Sequence, residues 1–299
     1  MLAWRLAVSA VLIPLLFATF WLDHRLGHRA QVLFGVASLL SIAAAAELSA
    51  MLQGRAMRPA ALCPAVLSGV VTAAAWWAVW FHGDPNFVAG WDALGPVALA
   101  FALAVFVLFV RRAILYREPG GNAETLASEI LIVAYVGLML AMTAQLRWVA
   151  GAQAGYLVLG SVVIATKMGD VGAYTVGRLF GKRKLIPRLS PGKTWAGAFG
   201  ALGTAGLAAW AWLHWATPLF DSAWRPPAAG WAILYGVLLG LAGLVGDLCE
   251  SLLKRDVGTK DSANLFPGFG GLLDLLDSIL FAGPVAWLLW RVLPLATWQ

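Results

Sequence analysis

Nine apolar stretches, separated by short polar or Pro/Gly-rich segments, limit what this sequence can fold into. They run approximately over residues 6–22, 30–52, 60–81, 93–110, 126–146, 155–177, 194–215, 231–250 and 272–297. Each approaches the roughly 20 residues that a bilayer-spanning helix requires. Because 61% of the 299 residues are hydrophobic and 12% are charged, against about 45–50% and about 25% in an average soluble domain, a water-soluble fold is excluded. We predict an all-α, polytopic integral membrane protein with about nine transmembrane helices.

The first apolar stretch resembles the core of a signal peptide, since it follows Arg5. However, Pro14 interrupts it and no small-residue cleavage pattern precedes Asp23, so we interpret it as a retained helix. No soluble domain fits between the stretches. We divide the chain into an N-terminal transmembrane region of about five spans (residues 1–150) and a C-terminal region of about four (residues 151–299), the latter with cytoplasmic loops 178–193 and 251–271.

Basic residues are distributed unevenly among the loops. With nine spans, the N-terminus and the even-numbered loops share one side and carry 15 of the 21 Lys and Arg residues, whereas the other side carries 5. This bias places the N-terminus and the even loops in the cytoplasm. The net charge of +6 is therefore mostly a topology signal, and with no soluble module to present it we exclude nucleic acid as a partner.

The cysteines, Cys63 and Cys249, form no CxxC pair and indicate neither a disulfide framework nor a thiolate metal site.

Acidic residues gather near the C-terminal end. Six of the fifteen fall between residues 247 and 277, namely Asp247, Glu250, Asp256, Asp261, Asp274 and Asp277. Helical spacing places Asp247, Glu250, Ser251 and Lys254 on one face at the cytoplasmic end of the eighth helix. Asp274 and Asp277 share a face in the first turns of the ninth helix, where free backbone N–H groups favour anions.

The two helix ends can bring these carboxylates together, because the loop that joins them is only about 20 residues long. Oxygen-only ligands suit Mg²⁺. The alternative is that each carboxylate only solvates a helix end. For Asp247, Asp274 and Asp277 at membrane depth we favour a functional role, since intramembrane ionisable groups are costly and usually face a polar site.

A second polar cluster begins inside the sixth span, where Lys167 and Asp170 are spaced to neutralise each other. The segment from Arg178 to Lys193 follows, with six basic residues and no acidic one. Such a loop suits a phosphate-rich substrate, but an ordinary cytoplasmic loop has the same composition. Its end, Ser190-Pro-Gly-Lys-Thr194, is not a P-loop because position 187, where Gly is required, is Pro.

Two long, ordered segments resemble the signature of the phosphatidate cytidylyltransferase (CDP-diacylglycerol synthase) family. One is Ser251-Leu-Leu-Lys-Arg-Asp-Val-Gly-Thr-Lys-Asp261, and the other is Pro267-Gly-Phe-Gly-Gly-Leu-Leu-Asp-Leu-Leu-Asp277. Upstream, Asp170-Val-Gly-Ala-Tyr174 and Ser190-Pro-Gly-Lys-Thr-Trp195 are also similar to that family, and the likeness covers about residues 165–285. Two positions depart from it: Phe269 stands where the family usually has His, and Leu275 where it has Arg.

The resemblance implies a nucleotidyltransferase that transfers the cytidylyl group of CTP to phosphatidate, forming CDP-diacylglycerol and pyrophosphate for phospholipid biosynthesis. It implies Mg²⁺ as cofactor and a second cation, such as K⁺. The implied catalytic residues are Asp247, Asp274, Lys254, Lys260 and Asp261. The implied metal ligands are Asp247, Asp274, Asp277 and Asp261. The implied substrate-binding residues are Ser251, Arg255, Lys193, Ser190, Thr194, Arg178, Asp170, Gly270 and Gly271.

The expected partners are CTP, phosphatidate and the lipid bilayer, with the active site on the cytoplasmic side of a bacterial inner membrane. The sequence leaves the oligomeric state open, a homodimer included. Two alternative functions also stay open. A CTP-dependent lipid-alcohol kinase would need a base for the hydroxyl and would release CDP, and an ion-coupled transporter would use its intramembrane charges to line a path between both faces.

Overall fold

The computed structural model describes residues 2–53, 57–81, 93–151, 153–263 and 270–296, with side chains from residue 14 onward. This part of the chain is mostly helical, which confirms the predicted all-α membrane fold. Helix α1 (Leu2–Leu26) covers the first predicted stretch and contains Pro14. Eight further helices are long and apolar enough to cross a membrane: α2 (Gln31–Leu52), α3 (Leu62–Phe81), α4 (Leu94–Leu115), α5 (Asn122–Gln145), α6 (Gly155–Phe180), α7 (Trp195–Phe220), α8 (Ala229–Asp256) and α9 (Leu273–Val292).

Helix α4 illustrates why these helices suit a lipid environment. It buries only a narrow stripe, formed by Val97, Ala104 and Leu108. Large apolar side chains cover the rest of its surface, and Leu103 and Phe106 are 54% and 63% exposed. An apolar surface of this size is unfavourable in water and favourable in the hydrocarbon core of a bilayer. The protein is therefore a multi-pass membrane protein.

The chain forms two compact units. The first unit contains Met1–Gln145 and Asp256–Leu276, and the second contains Leu146–Arg255 and Asp277–Gln299. The sequence division at residue 150 places residues 256–276 in the C-terminal region, and in the structure the described residues of this segment belong to the first unit. The segment between α8 and α9 is therefore part of the first unit, and α9 begins there.

A buried ion-pair network joins α4 and α5 in the first unit. The carboxylate of Glu129, on α5, is fully buried and lies 2.7 Å from Arg112 and 3.1 Å from Arg111. It also accepts the backbone N–H of Ala60, at 2.9 Å, just before α3. A buried charge is costly unless it is paired and hydrogen-bonded, and these contacts meet that requirement.

Helices α6 and α7 pack extensively against each other in the second unit. The connection between them is a short antiparallel hairpin of β1 (Lys184–Ile186) and β2 (Ser190–Thr194), where the sequence predicted only a loop. Helix α6 continues to Phe180, beyond its predicted end at residue 177, so Arg178 lies in its last turn. The hairpin places Lys193 near the end of the second strand, two residues before α7.

Candidate functional site

The first candidate site surrounds the start of α9, in the first unit. The Oδ2 atom of Asp274, in the first turn, accepts the backbone N–H groups of Ser262 (3.0 Å) and Gly271 (2.7 Å). The hydroxyl of Ser262 lies 2.6 Å from the same oxygen. These contacts fold the preceding segment back onto the helix start, where N–H groups have no partner within the helix. The position of Asp274 at this helix end agrees with the sequence prediction.

Glu47, on α2, contacts the tight turn that leads into α9 (residues 270–273). The sequence analysis did not identify this residue. Glu47 is 8% exposed. Its Oε2 accepts the N–H of Leu272 (2.8 Å), and its Oε1 accepts the N–H of Leu273 (3.2 Å) and contacts the hydroxyl of Ser262. A carboxylate at this place satisfies orphan donors of α9 and complements the helix dipole. Glu47 is the single charged residue of α2. A charge inside a predicted membrane span was therefore the sequence feature that could have identified it as a site residue.

Both glycines of this turn are required by its geometry. Gly270 has a φ of +96°, and a Cβ there would collide with the carboxylate of Asp274. A Cβ on Gly271 would overlap the carboxylate of Glu47 and the hydroxyl of Ser262. The two predicted substrate-binding glycines thus have a definite structural role, since only glycine permits this backbone conformation and close approach.

The remaining predicted residues of this segment are exposed. Lys260 and Asp261 lie on the surface of the segment that precedes the turn. A Cβ on Gly270 would lie 3.5 Å from the Cβ of Asp261, so Asp261 is adjacent to the turn. Phe269, one of the two departures from the family pattern, lies outside the described residues, and Leu275 is half-buried in the first turn of α9.

The second candidate site lies in the second unit, around Asp247 on α8. The Nζ of Lys193 is 2.7 Å from Oδ2 of Asp247, and the hydroxyl of Ser251 donates to Oδ1 over 3.4 Å. On α6, Asp170 pairs with Lys167 at 3.3 Å. Asp170, Asp247 and Asp277, which we call the acidic cluster, lie close enough to interact electrostatically with one another, and Lys167 interacts with Asp170 and Asp277. The structure thus gathers carboxylates and lysines that are up to 110 residues apart in sequence.

Lys193 is well placed to bind an anionic group. Its Nζ is buried, and within the described part of the chain its close contact is the carboxylate of Asp247. An ammonium group has three donors, so one carboxylate contact leaves donor capacity for a phosphate oxygen. The next residue, Thr194, caps α7: its buried hydroxyl accepts the N–H of Gly197 at 3.1 Å.

Other predicted substrate ligands have partners within the second unit. Lys254 is buried and pairs with Glu250, also buried, at 2.9 Å. Arg255 is exposed and donates to the carbonyl of Leu189 over 3.4 Å. Arg178 donates to the hydroxyl of Tyr174 at 2.9 Å. Ser190 begins β2 opposite Ile186, which leaves its side chain half-buried.

The donor chemistry of the acidic cluster fits Mg²⁺ with a bound nucleotide. Within the ranges that the structure describes, no three His, Cys, Asp or Glu side chains are arranged to hold a metal ion by themselves. Magnesium usually takes only one or two protein carboxylates and completes its shell with substrate phosphates and water. Asp247 and Asp277, which interact electrostatically, are two carboxylates whose chemistry fits this coordination.

The sequence matches the model of the cytidylyltransferase family over residues 3–293. It is 37% identical to the phosphatidate cytidylyltransferase of Pseudomonas aeruginosa, over 66% of this chain and 70% of that protein. It is 31% identical to the phosphatidate cytidylyltransferase of Mycobacterium bovis, over 74% of this chain and 69% of that protein. It is also 31% identical to the uncharacterized protein YnbB of Escherichia coli, over 70% of this chain and 68% of that protein. The match spans nearly every described helix, and the chain therefore belongs to the cytidylyltransferase family.

Proposed function

We propose that the protein transfers the cytidylyl group of CTP to phosphatidate and so forms CDP-diacylglycerol and pyrophosphate. Membership of the family and the names of two relatives support this activity. The observation within this chain that supports it is the acidic cluster beside Lys193, which combines clustered carboxylates with a buried ammonium group. Such a combination suits a metal-bound triphosphate.

In the proposed reaction, an anionic phosphate oxygen of phosphatidate attacks the α-phosphorus of CTP. A new P–O bond forms there, and the bond to the bridging oxygen breaks with its electron pair leaving on pyrophosphate. Because phosphatidate already carries an anionic oxygen near neutral pH, this step needs no general base. Catalysis then depends on positioning and on stabilising negative charge.

Individual residues have distinct proposed roles. Asp247 and Asp277 would hold Mg²⁺, and the family resemblance assigns metal-binding roles to Asp274 and Asp261 as well. Bound Mg²⁺ would neutralise the triphosphate and orient the in-line displacement. Lys193 would bind a phosphate oxygen and stabilise the leaving pyrophosphate, and the exposed cations Arg255 and Lys260 are further proposed phosphate ligands. We also propose that a second cation, such as K⁺, binds at the site.

Product analysis tests the proposal directly. Purified protein in proteoliposomes that contain both phosphatidate and diacylglycerol is supplied with Mg²⁺ and CTP labelled in the α-phosphate. We expect labelled CDP-diacylglycerol together with unlabelled pyrophosphate. A lipid-alcohol kinase would instead convert diacylglycerol and release labelled CDP, and a transporter would form no nucleotide-dependent lipid product. Either outcome would contradict the proposed activity.

We further propose that the site faces the cytoplasm of a bacterial cell, because Lys and Arg concentrate in the even-numbered loops. The two ends of α7 provide a sharp test: Gly192 and Ser222 are both exposed and precede and follow this one helix. Single cysteines are introduced at each position after Cys63 and Cys249 have been replaced by Ala. A membrane-impermeant thiol reagent on intact cells should label Ser222→Cys, whereas Gly192→Cys should react only after permeabilisation. The reverse pattern would invert the topology.

A further inference from the structure

We infer that Glu47 is a positioning residue, which holds the turn at the start of α9, and through it the carboxylate of Asp274, in the geometry needed for cytidylyl transfer. The inference rests on the proposed function and extends it to the N-terminal half of the chain. The sequence resemblance placed every site residue at or after Asp170, so the structure adds a contribution from α2.

The first support is the set of donors that Glu47 receives. Two of them are the backbone N–H groups of Leu272 and Leu273. The hydroxyl of Ser262 also contacts Glu47, but its single proton is shared with Asp274, so it donates to one carboxylate at a time. A carboxylate in an apolar helix is costly unless its oxygens are hydrogen-bonded. These contacts explain how α2 can carry a charge, and they attach α2 to the turn.

The second support is the bridge from Glu47 to Asp274. The hydroxyl of Ser262 lies between the two carboxylates, in contact with Glu47 and 2.6 Å from Oδ2 of Asp274. The backbone of Ser262 donates to Asp274 as well, at 3.0 Å. Because the members of a hydrogen-bond network orient one another, loss of Glu47 should loosen Ser262 and with it Asp274.

The third support is the close approach at Gly271. Any side chain there would occupy the space taken by the carboxylate of Glu47. The backbone of Gly271 simultaneously donates to Asp274, at 2.7 Å. The turn is thus held on one side by Glu47 and on the other by Asp274, and glycine is what allows both carboxylates to reach it.

A matched control is available in the same unit. Asp23 is also a buried carboxylate that caps a helix, since its Oδ1 accepts the N–H groups of Val32 (2.6 Å) and Leu33 (3.4 Å) at the start of α2. Asp23→Asn and Glu47→Gln therefore remove equivalent capping charges, but only Glu47 contacts the turn before Asp274. Ser262→Ala is a second test variant, which removes the bridge without altering a membrane helix.

The first measurement is hydrogen–deuterium exchange of peptides covering residues 270–276 in the full-length protein. Backbone amides exchange when their hydrogen bonds open locally. We expect faster exchange there in Glu47→Gln and in Ser262→Ala, and unchanged exchange in Asp23→Asn. Since this readout does not depend on turnover, it tests the attachment even if the enzyme has another substrate.

The second measurement is the kinetics of CDP-diacylglycerol formation. We expect Glu47→Gln to lower kcat about tenfold or more and to raise the half-saturating Mg²⁺ concentration, with Ser262→Ala intermediate and Asp23→Asn within about twofold of wild type. Unchanged exchange in Glu47→Gln, wild-type kcat in that variant, or an equal loss in Asp23→Asn would each overturn the inference. If the wild-type protein forms no CDP-diacylglycerol, the proposed function fails, and the exchange comparison alone decides whether Glu47 holds the turn.

Discussion

Replacing Asp274 by asparagine is expected to lower the rate of CDP-diacylglycerol formation about a hundredfold or more while leaving the protein folded. The amide oxygen of Asn can take the place of Oδ2 and keep the hydrogen bonds from Ser262 and Gly271. The negative charge that would hold a cation is lost. The variant thus separates the chemical role of the carboxylate from its role in the turn.

The measurement combines turnover over a range of Mg²⁺ concentrations with a thermal melt in detergent. Asp274→Ala, which removes charge and acceptor together, should show the same loss of turnover and an additional destabilisation of about 1–3 kcal/mol. Asp256→Asn is the control, because Asp256 belongs to the same acidic segment and is exposed. Near wild-type turnover of Asp274→Asn at limiting Mg²⁺ would refute the assignment of Asp274 as a metal ligand.

The second large effect is expected at Lys193. Its Nζ lies 2.7 Å from Asp247 and is buried, so its charge acts at short range and with little screening by solvent. Lys193→Ala should reduce kcat/KM for CTP about 10- to 100-fold, the range that one charge-assisted hydrogen bond of roughly 1.5–3 kcal/mol supplies. Steady-state kinetics with CTP varied at saturating phosphatidate provide the measurement.

Lys184 is the matched control for this prediction. It lies in β1 opposite Thr194, in the same hairpin, but its side chain is exposed. Lys184→Ala should change kcat/KM by less than about threefold. If Lys193→Ala leaves kcat/KM unchanged, and the pair Phe269→His with Leu275→Arg raises it strongly, the positive charge is not supplied by Lys193 and the two departures have weakened the enzyme.

The transmembrane helices could be predicted from the sequence because their cause is local. A stretch of about 20 apolar residues must satisfy its backbone hydrogen bonds within itself when it enters hydrocarbon, and a helix does so. The predicted stretch at residues 30–52, for example, corresponds to Gln31–Leu52. The positions of Asp274, Gly270 and Gly271 at a helix start could also be predicted, since a helix start followed by an acidic residue is a short-range pattern.

The hairpin between α6 and α7 was not predicted because its strands are only 3 and 5 residues long. Ser190–Thr194 contains Pro and Gly, which are typical of loops, and neither strand alternates apolar and polar residues over a useful length. The position of the hairpin between two packed helices favours the pairing of its two strands. The sequence therefore predicted Lys193 as a phosphate ligand, but only the hairpin and the packing of the second unit place its Nζ beside Asp247.

By itself, the sequence determined the membrane fold, the family signature and the carboxylates at the start of α9, because each depends on residues close together along the chain. Only the tertiary structure assigned a role to Glu47, whose partner Ser262 lies 215 residues away. No short-range pattern connects a lone carboxylate in α2 with a turn near the C-terminus. They meet because the buried carboxylate requires hydrogen-bond donors, and the start of α9 has N–H donors without helical partners. These two groups come together only when the chain is packed.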